Sequence, residues 1–217
     1  MKLSGVYAIV DVSALDARNL DVVEHAKSLL SAPLAALQLR AKDAPGARFL
    51  ALAREIAKLS RASSVPFFVN DRVDIALLAG AGVHLGQDDL SPRAARELAA
   101  RAGSDIAIGF STHDEAQALA ALDEPIDYLA IGPVFDTASK LRPDPVLGPA
   151  RAGAITDAVR ARRSIPIVAI GGIEAPRLRE VAAFDAVAVI GALLPHAGLS
   201  GDARARDFAR AFGEVRA

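Results

Sequence analysis

Cysteine is absent from all 217 residues, which excludes disulfides and thiolate metal ligation and removes the usual clue to redox compartment. An excess of one charge sign is lacking too. The 25 Lys and Arg against 26 Asp and Glu leave a formal net charge of −1, and the two signs are interspersed. An extended nucleic-acid or membrane surface needs a clear basic excess, so neither partner is expected. No stretch approaches the roughly eighteen apolar residues of a membrane span. The apolar run in the opening MKLSGVYAIVDV is too short for a signal peptide and enters a strand directly, so a cytoplasmic protein is the simplest expectation. Aromatics make up only 5% of the chain, whereas 52% is hydrophobic. With alanine prominent, that balance suits a helix-rich protein with a substantial core.

What is present is a regular alternation. Short apolar or β-branched runs occur at residues 6–11, 36–42, 66–71, 82–86, 105–111, 127–135, 166–173 and 186–194. Segments with helical spacing lie between them, including 47–59, 92–102, 114–122, 151–163 and 176–183, and a last one spans 202–215. The count predicts a (β/α)8 barrel in a single compact domain covering 1–217. A doubly wound open sheet has fewer strands and a glycine-rich turn after the first. Here the first strand runs into Asp11-Val12-Ser13-Ala14, which has no such turn. The loop 141–148 reads as a lid.

Function in such a barrel belongs at the carboxyl ends of the strands. Along the second strand Gln38, Arg40 and Lys42 share one face and Leu37, Leu39 and Ala41 the other. A solvated edge strand has the same pattern; in a barrel the polar set points inward, and an inward Arg and Lys need an anion. The third strand ends at Asn70-Asp71 and the fourth at Gln87-Asp88-Asp89. In a parallel βαβ unit both ends meet at one mouth. Helix capping accounts for a single acid there, with Ser91-Pro92 a good helix start after Asp89. Acids beside an inward Arg and Lys point instead to a site for magnesium and a diphosphate, because magnesium takes oxygen ligands from carboxylates, phosphates and water.

The fifth strand ends Gly109-Phe110-Ser111, with Thr112 and Glu115 reading as a capping box. After the sixth come Thr137, Ser139 and Lys140, suited to phosphate but also to an ordinary polar turn. Glycines at Gly171-Gly172 and Gly191 expose backbone N–H groups at the ends of the seventh and eighth strands, where phosphate sites recur. Two anion sites result. The four histidines, His25, His84, His113 and His196, form no metal-ligand spacing. Each is expected to be structural, with His113 near Ser111 the one to test.

The motifs Gln38-Leu39-Arg40-Ala41-Lys42-Asp43, Asn70-Asp71-Arg72, Val83 to Leu90, Gly109-Phe110-Ser111, Gly132-Pro133-Val134-Phe135, Thr137 to Lys140 and Ile170-Gly171-Gly172-Ile173 together resemble thiamine-phosphate synthases. Each is short, but they follow the order of that family from the second strand to the eighth. The resemblance implies a transferase that joins 4-amino-5-hydroxymethyl-2-methylpyrimidine diphosphate to a thiazole phosphate with magnesium, releasing pyrophosphate. Carried over by motif, Asp71 and Asp89 would bind Mg2+, and Arg40, Lys42, Asn70 and Lys140 the diphosphate. Gln38 would face the pyrimidine and Ser111 the departing group, which makes Arg40, Lys140 and Ser111 the catalytic candidates. Thr137, Ser139, Gly172, Ile190 and Gly191 would hold the thiazole phosphate.

Four departures from the family pattern stand out. Asp136 replaces a proline and places a negative charge near two anionic substrates. Ser139 replaces a threonine, and Gly191 a serine, the latter losing a donor worth about 1 kcal/mol. The segment Ala81-Gly82-Val83 is one residue short. A thiazole tautomerase relative shares the barrel, but it carries histidine where Pro133 stands and has no use for a diphosphate clamp. A non-catalytic thiazole- or thiamine-phosphate-binding barrel is the alternative of another class.

Overall fold

The computed structural model describes residues 1–137 and 144–216. Eight parallel strands close in sequential order into a barrel: β1 (Gly5–Asp11), β2 (Leu34–Arg40), β3 (Phe67–Asn70), β4 (Gly82–Leu85), β5 (Ile108–Thr112), β6 (Tyr128–Ile131), β7 (Ile167–Ile170) and β8 (Ala186–Val189). Helices α1 (Val12–Asp16), α2 (Val22–Leu30), α3 (Gly46–Ala62), α4 (Val73–Ala79), α5 (Pro92–Arg101), α6 (Glu115–Ala120), α7 (Pro149–Arg160) and α8 (Gly201–Arg216) connect and surround the strands. The expected (β/α)8 architecture is therefore the one observed. Among the described residues no helix is long and apolar enough to cross a membrane.

Period-two alternation divides the core into two layers. Outward-facing Leu37, Leu39, Val83 and Leu85 pack against the helices in the larger cluster. Inside the barrel lie Tyr7, Ile9, Ala36, Phe68, Tyr128, Ala130 and Val168. Both of the chain's tyrosines lie here, together with Phe68. Phe68 meets Tyr128 edge to face with ring centroids 5.2 Å apart. Two glycines make room for these rings. A Cβ on Gly82 would lie 2.6 Å from the Phe68 ring, and one on Gly109 would lie 2.0 Å from the Tyr128 phenol carbon.

Several strands are shorter than their apolar runs. β6 stops at Ile131 because Gly132-Pro133 follows, and proline has no N–H for the ladder. β2 begins at Leu34 and ends at Arg40, leaving Lys42 in the loop beyond. The connection between β7 and β8, expected as a helix, is instead a 3-10 segment, Ala175–Val181. Its buried residues, Leu178 and Val181, stand three apart, the spacing that eclipses in a 3-10 helix.

Candidate active site at the carboxyl edge of the barrel

Gln38 lies on the inward face of β2, almost fully buried, and its Nε2 donates to the Tyr7 hydroxyl at 3.0 Å. One step further along the same face, the Arg40 guanidinium donates to the carboxylate of Asp11. Asp11 ends β1, is buried, and also accepts from Ala14 N at 2.8 Å as the N-cap of α1. That carboxylate fixes the Arg40 head group at the mouth, where a planar fork can meet an oxyanion. Asp11, read from the sequence only as the end of the first strand, is thus a partner of Arg40. Lys42, although past the strand, brings its ammonium to 3.5 Å from Asp71 Oδ2.

Asp71 follows β3 in a left-handed conformation, φ 64°, with its N–H on the His84 carbonyl at 2.8 Å. Such a backbone is unfavourable for a residue with a Cβ, though Asp tolerates it better than most. The capping explanation fails for Asp71, since α4 starts at an Arg72 N-cap without a side-chain bond and its first-turn acid is Asp74. It fails for Asp89 as well. Ser91 caps α5 by accepting from Ala94 N, while Asp89 Oδ2 turns back to the Gly86 N–H at 2.7 Å. Burial, then the hydrogen bond and charge of Asp89, push the Asp71 carboxyl up to about 6. A buried carboxyl whose pKa is raised in part by an adjacent carboxylate marks a locus short of positive charge. Among the described residues no cluster of three or more metal-ligating side chains exists. Two acids fit a hard cation that completes its shell with substrate oxygens and water, as magnesium does. Asn70 is buried at the end of β3, and Asp88 is exposed.

Ser111, near the end of β5, is buried, with its Oγ 2.8 Å from His84 Nε2. Gln87 Nε2 donates to the Ser111 carbonyl at 2.6 Å. Thr112 is not the helix cap: it is the last residue of β5, fully buried, and donates to the Ala130 carbonyl. The cap of α6 is Asp114, which accepts from Gln117 N. His113 precedes that helix rather than lying in its first turn. Its Nδ1 is 2.6 Å from the Gly132 carbonyl and its Nε2 is 3.4 Å from Asp144 Oδ2. The histidine at the site is His84. Its inward parity between Val83 and Leu85 was visible in the sequence; its partners were not.

At the opposite side of the mouth, Val134 N–H and Phe135 N–H donate to the carbonyls of Ile170 and Gly171. Leu147 N–H and Gly148 N–H donate to those of Pro133 and Val134. These bonds hold the chain after β6 between β7 and the returning segment. Gly172 has φ 61°, and a Cβ there would lie 2.1 Å from the Asp136 carbonyl oxygen, so only glycine fits. Ile190 precedes the short 3-10 turn Gly191–Leu193. Asp136 is exposed, and its Oδ1 accepts from Thr137 N at 3.0 Å. Ser139, Lys140 and the first part of the 141–148 loop lie outside the described residues.

A closed parallel barrel with anchored cations, paired acids and a buried hydroxyl at the carboxyl edge defines the class: a barrel enzyme that handles an anionic small molecule. Within that class, residues 6–193 match the family model described as thiamine monophosphate synthase. The chain belongs to that family. It is 43% identical over 199 residues to a thiamine-phosphate synthase of Koribacter versatilis, covering 89% of this chain and 90% of the relative. To the thiamine-phosphate synthase of Methanospirillum hungatei it is 40% identical over 193 residues, covering 88% and 89%. Among solved structures, thiamine phosphate pyrophosphorylase from Pyrococcus furiosus superposes with a TM-score of 0.81 at 32% identity, covering 97% of this chain and 96% of that one.

Proposed function

We propose that the protein is a thiamine-phosphate synthase, a transferase that joins the pyrimidinylmethyl group of 4-amino-5-hydroxymethyl-2-methylpyrimidine diphosphate to the thiazole nitrogen of 4-methyl-5-(2-phosphooxyethyl)thiazole. The bond from the methylene carbon to the diphosphate oxygen breaks, its electron pair leaves with pyrophosphate, and the thiazole nitrogen supplies the pair for the new C–N bond. The carrying observation is the meeting of the Asp11-anchored Arg40 with the Lys42, Asp71 and Asp89 group at one edge of the barrel.

Cleavage of this kind places negative charge on the leaving group, so the site's work is electrostatic and needs no nucleophilic side chain. Arg40, Lys42, Asn70 and Lys140 are assigned to the diphosphate, and Asp71 and Asp89 to Mg2+. Magnesium, when bound, supplies positive charge to the diphosphate oxygens. Gln38 meets the pyrimidine, Ser111 lies beside the leaving oxygen, and Thr137, Ser139, Gly172, Ile190 and Gly191 take the thiazole phosphate. Pro133 offers no proton for a tautomerase. The setting is proposed to be the cytoplasm. Incubation with both substrates and magnesium is expected to give thiamine phosphate and pyrophosphate in equal amounts. Absence of product, with thiazole phosphate still bound, would favour a binding protein.

A further inference from the structure

A continuous hydrogen-bonded chain crosses the barrel interior from one assigned ligand-binding group to another. Gln38 Nε2 is 3.0 Å from the Tyr7 hydroxyl, which is 2.8 Å from the Tyr128 hydroxyl. That hydroxyl is 2.6 Å from His84 Nδ1, and His84 Nε2 is 2.8 Å from Ser111 Oγ. All five residues are buried. Burial holds the Tyr7 phenol above its ordinary range; the Tyr128 phenol is raised by burial and then by Tyr7. Each phenol and a neutral imidazole then offer one donor and one acceptor to the chain, so its proton order has a single direction once one end is fixed. The Gln38 amide nitrogen can only donate. Tyr7 therefore donates to Tyr128, Tyr128 donates to His84 Nδ1, and His84 carries its proton on Nε2.

We propose that this chain is polarised from Gln38 to Ser111, holding His84 as the Nε2–H tautomer so that Ser111, already accepting from His84, must direct its own hydroxyl proton out to the ligand. His84, Tyr128 and Tyr7 are positioning residues in this arrangement. Its chemical use rests on the synthase reading, in which a Ser111 donor meets the leaving oxygen as negative charge develops there. Without the chain, the Ser111 proton would be free to turn back to His84 Nε2, leaving a lone pair facing that oxygen.

Long-range 1H–15N spectra of protein labelled at histidine, with the signals of His84 assigned through His84→Gln, read the tautomer directly. At neutral pH the proposal expects a protonated Nε2 and an unprotonated, hydrogen-bonded Nδ1. A protonated Nδ1, or the imidazolium pattern, overturns it. In Tyr128→Phe the Nδ1 donor is gone: the His84 pattern is expected to become a mixture of tautomers, and kcat to fall about tenfold with KM for both substrates within about twofold. An unchanged pattern with unchanged kcat contradicts the proposal. The spectrum of the unaltered protein stands whether or not Tyr128→Phe folds, and it is independent of turnover, so failure of the synthase reading is seen separately.

Discussion

At Asp71 two penalties coincide: a left-handed backbone on a residue with a Cβ, and a carboxyl pushed up by burial and by Asp89. Neither helps folding, and a fold retains such strain where a ligand relieves it. His25 is the contrasting case, away from the mouth on α2. Burial lowers its pKa from 6.5 to about 4, and its Nδ1 lacks a partner among the described residues. Below pH 6.5 the unfolded chain takes up a proton that the native His25 refuses. Its contribution to stability is therefore full above that pH and falls away toward pH 4, by about 3 kcal/mol at most. Urea unfolding from pH 7 to 4 should give a shallower loss for His25→Leu than for the natural chain; parallel curves would assign the acid sensitivity elsewhere. At Gly109 a methyl group meets the Tyr128 phenol. Gly109→Ala should cost about 1–3 kcal/mol in denaturant midpoints and reduce turnover, since Tyr128 must shift from His84; unaltered turnover would detach Tyr128 from the site.

The junction of β4 and α5 separates structural from functional acids and hydroxyls. Ser91 caps α5, whereas Asp89 leaves the helix alone and folds onto Gly86. Ser91→Ala is expected to lose about 1 kcal/mol of stability with thiamine phosphate formation retained. Asp89→Ala should show the reverse, with little change in unfolding midpoint and turnover reduced by about a hundredfold or more. If both variants behaved alike, Asp89 would be an ordinary turn residue. The elements themselves were largely legible, because alternation and helical spacing are local signals. Their ends were less so. The run after Tyr128 stays apolar through Phe135, but the ladder stops at Gly132-Pro133, and the β7–β8 connection settles into 3-10 turns.

For the molecule as a whole, the count of strands and the inward parity of Gln38 and Arg40 made the barrel and one wall of the site readable from the chain. The hydrogen-bond partners across the barrel were not. Gly109 pairs with Tyr128, and His84 with Gly109, only through sheet register, so the path from Gln38 to Ser111 left no trace in any one segment. Asp11 was hidden for the same reason: it faces Arg40 across the β1–β2 pairing. Asp71 and Asp89 are proposed to gather magnesium for the diphosphate. That role is tested most directly by the rate of thiamine phosphate formation as magnesium is titrated, for the natural chain and for Asp71→Ala. A saturable rise abolished by chelation is expected in the first and, in the second, about a hundredth of that rate or less at every magnesium concentration. A natural enzyme indifferent to chelation, or an Asp71→Ala variant of near-normal rate, would contradict it.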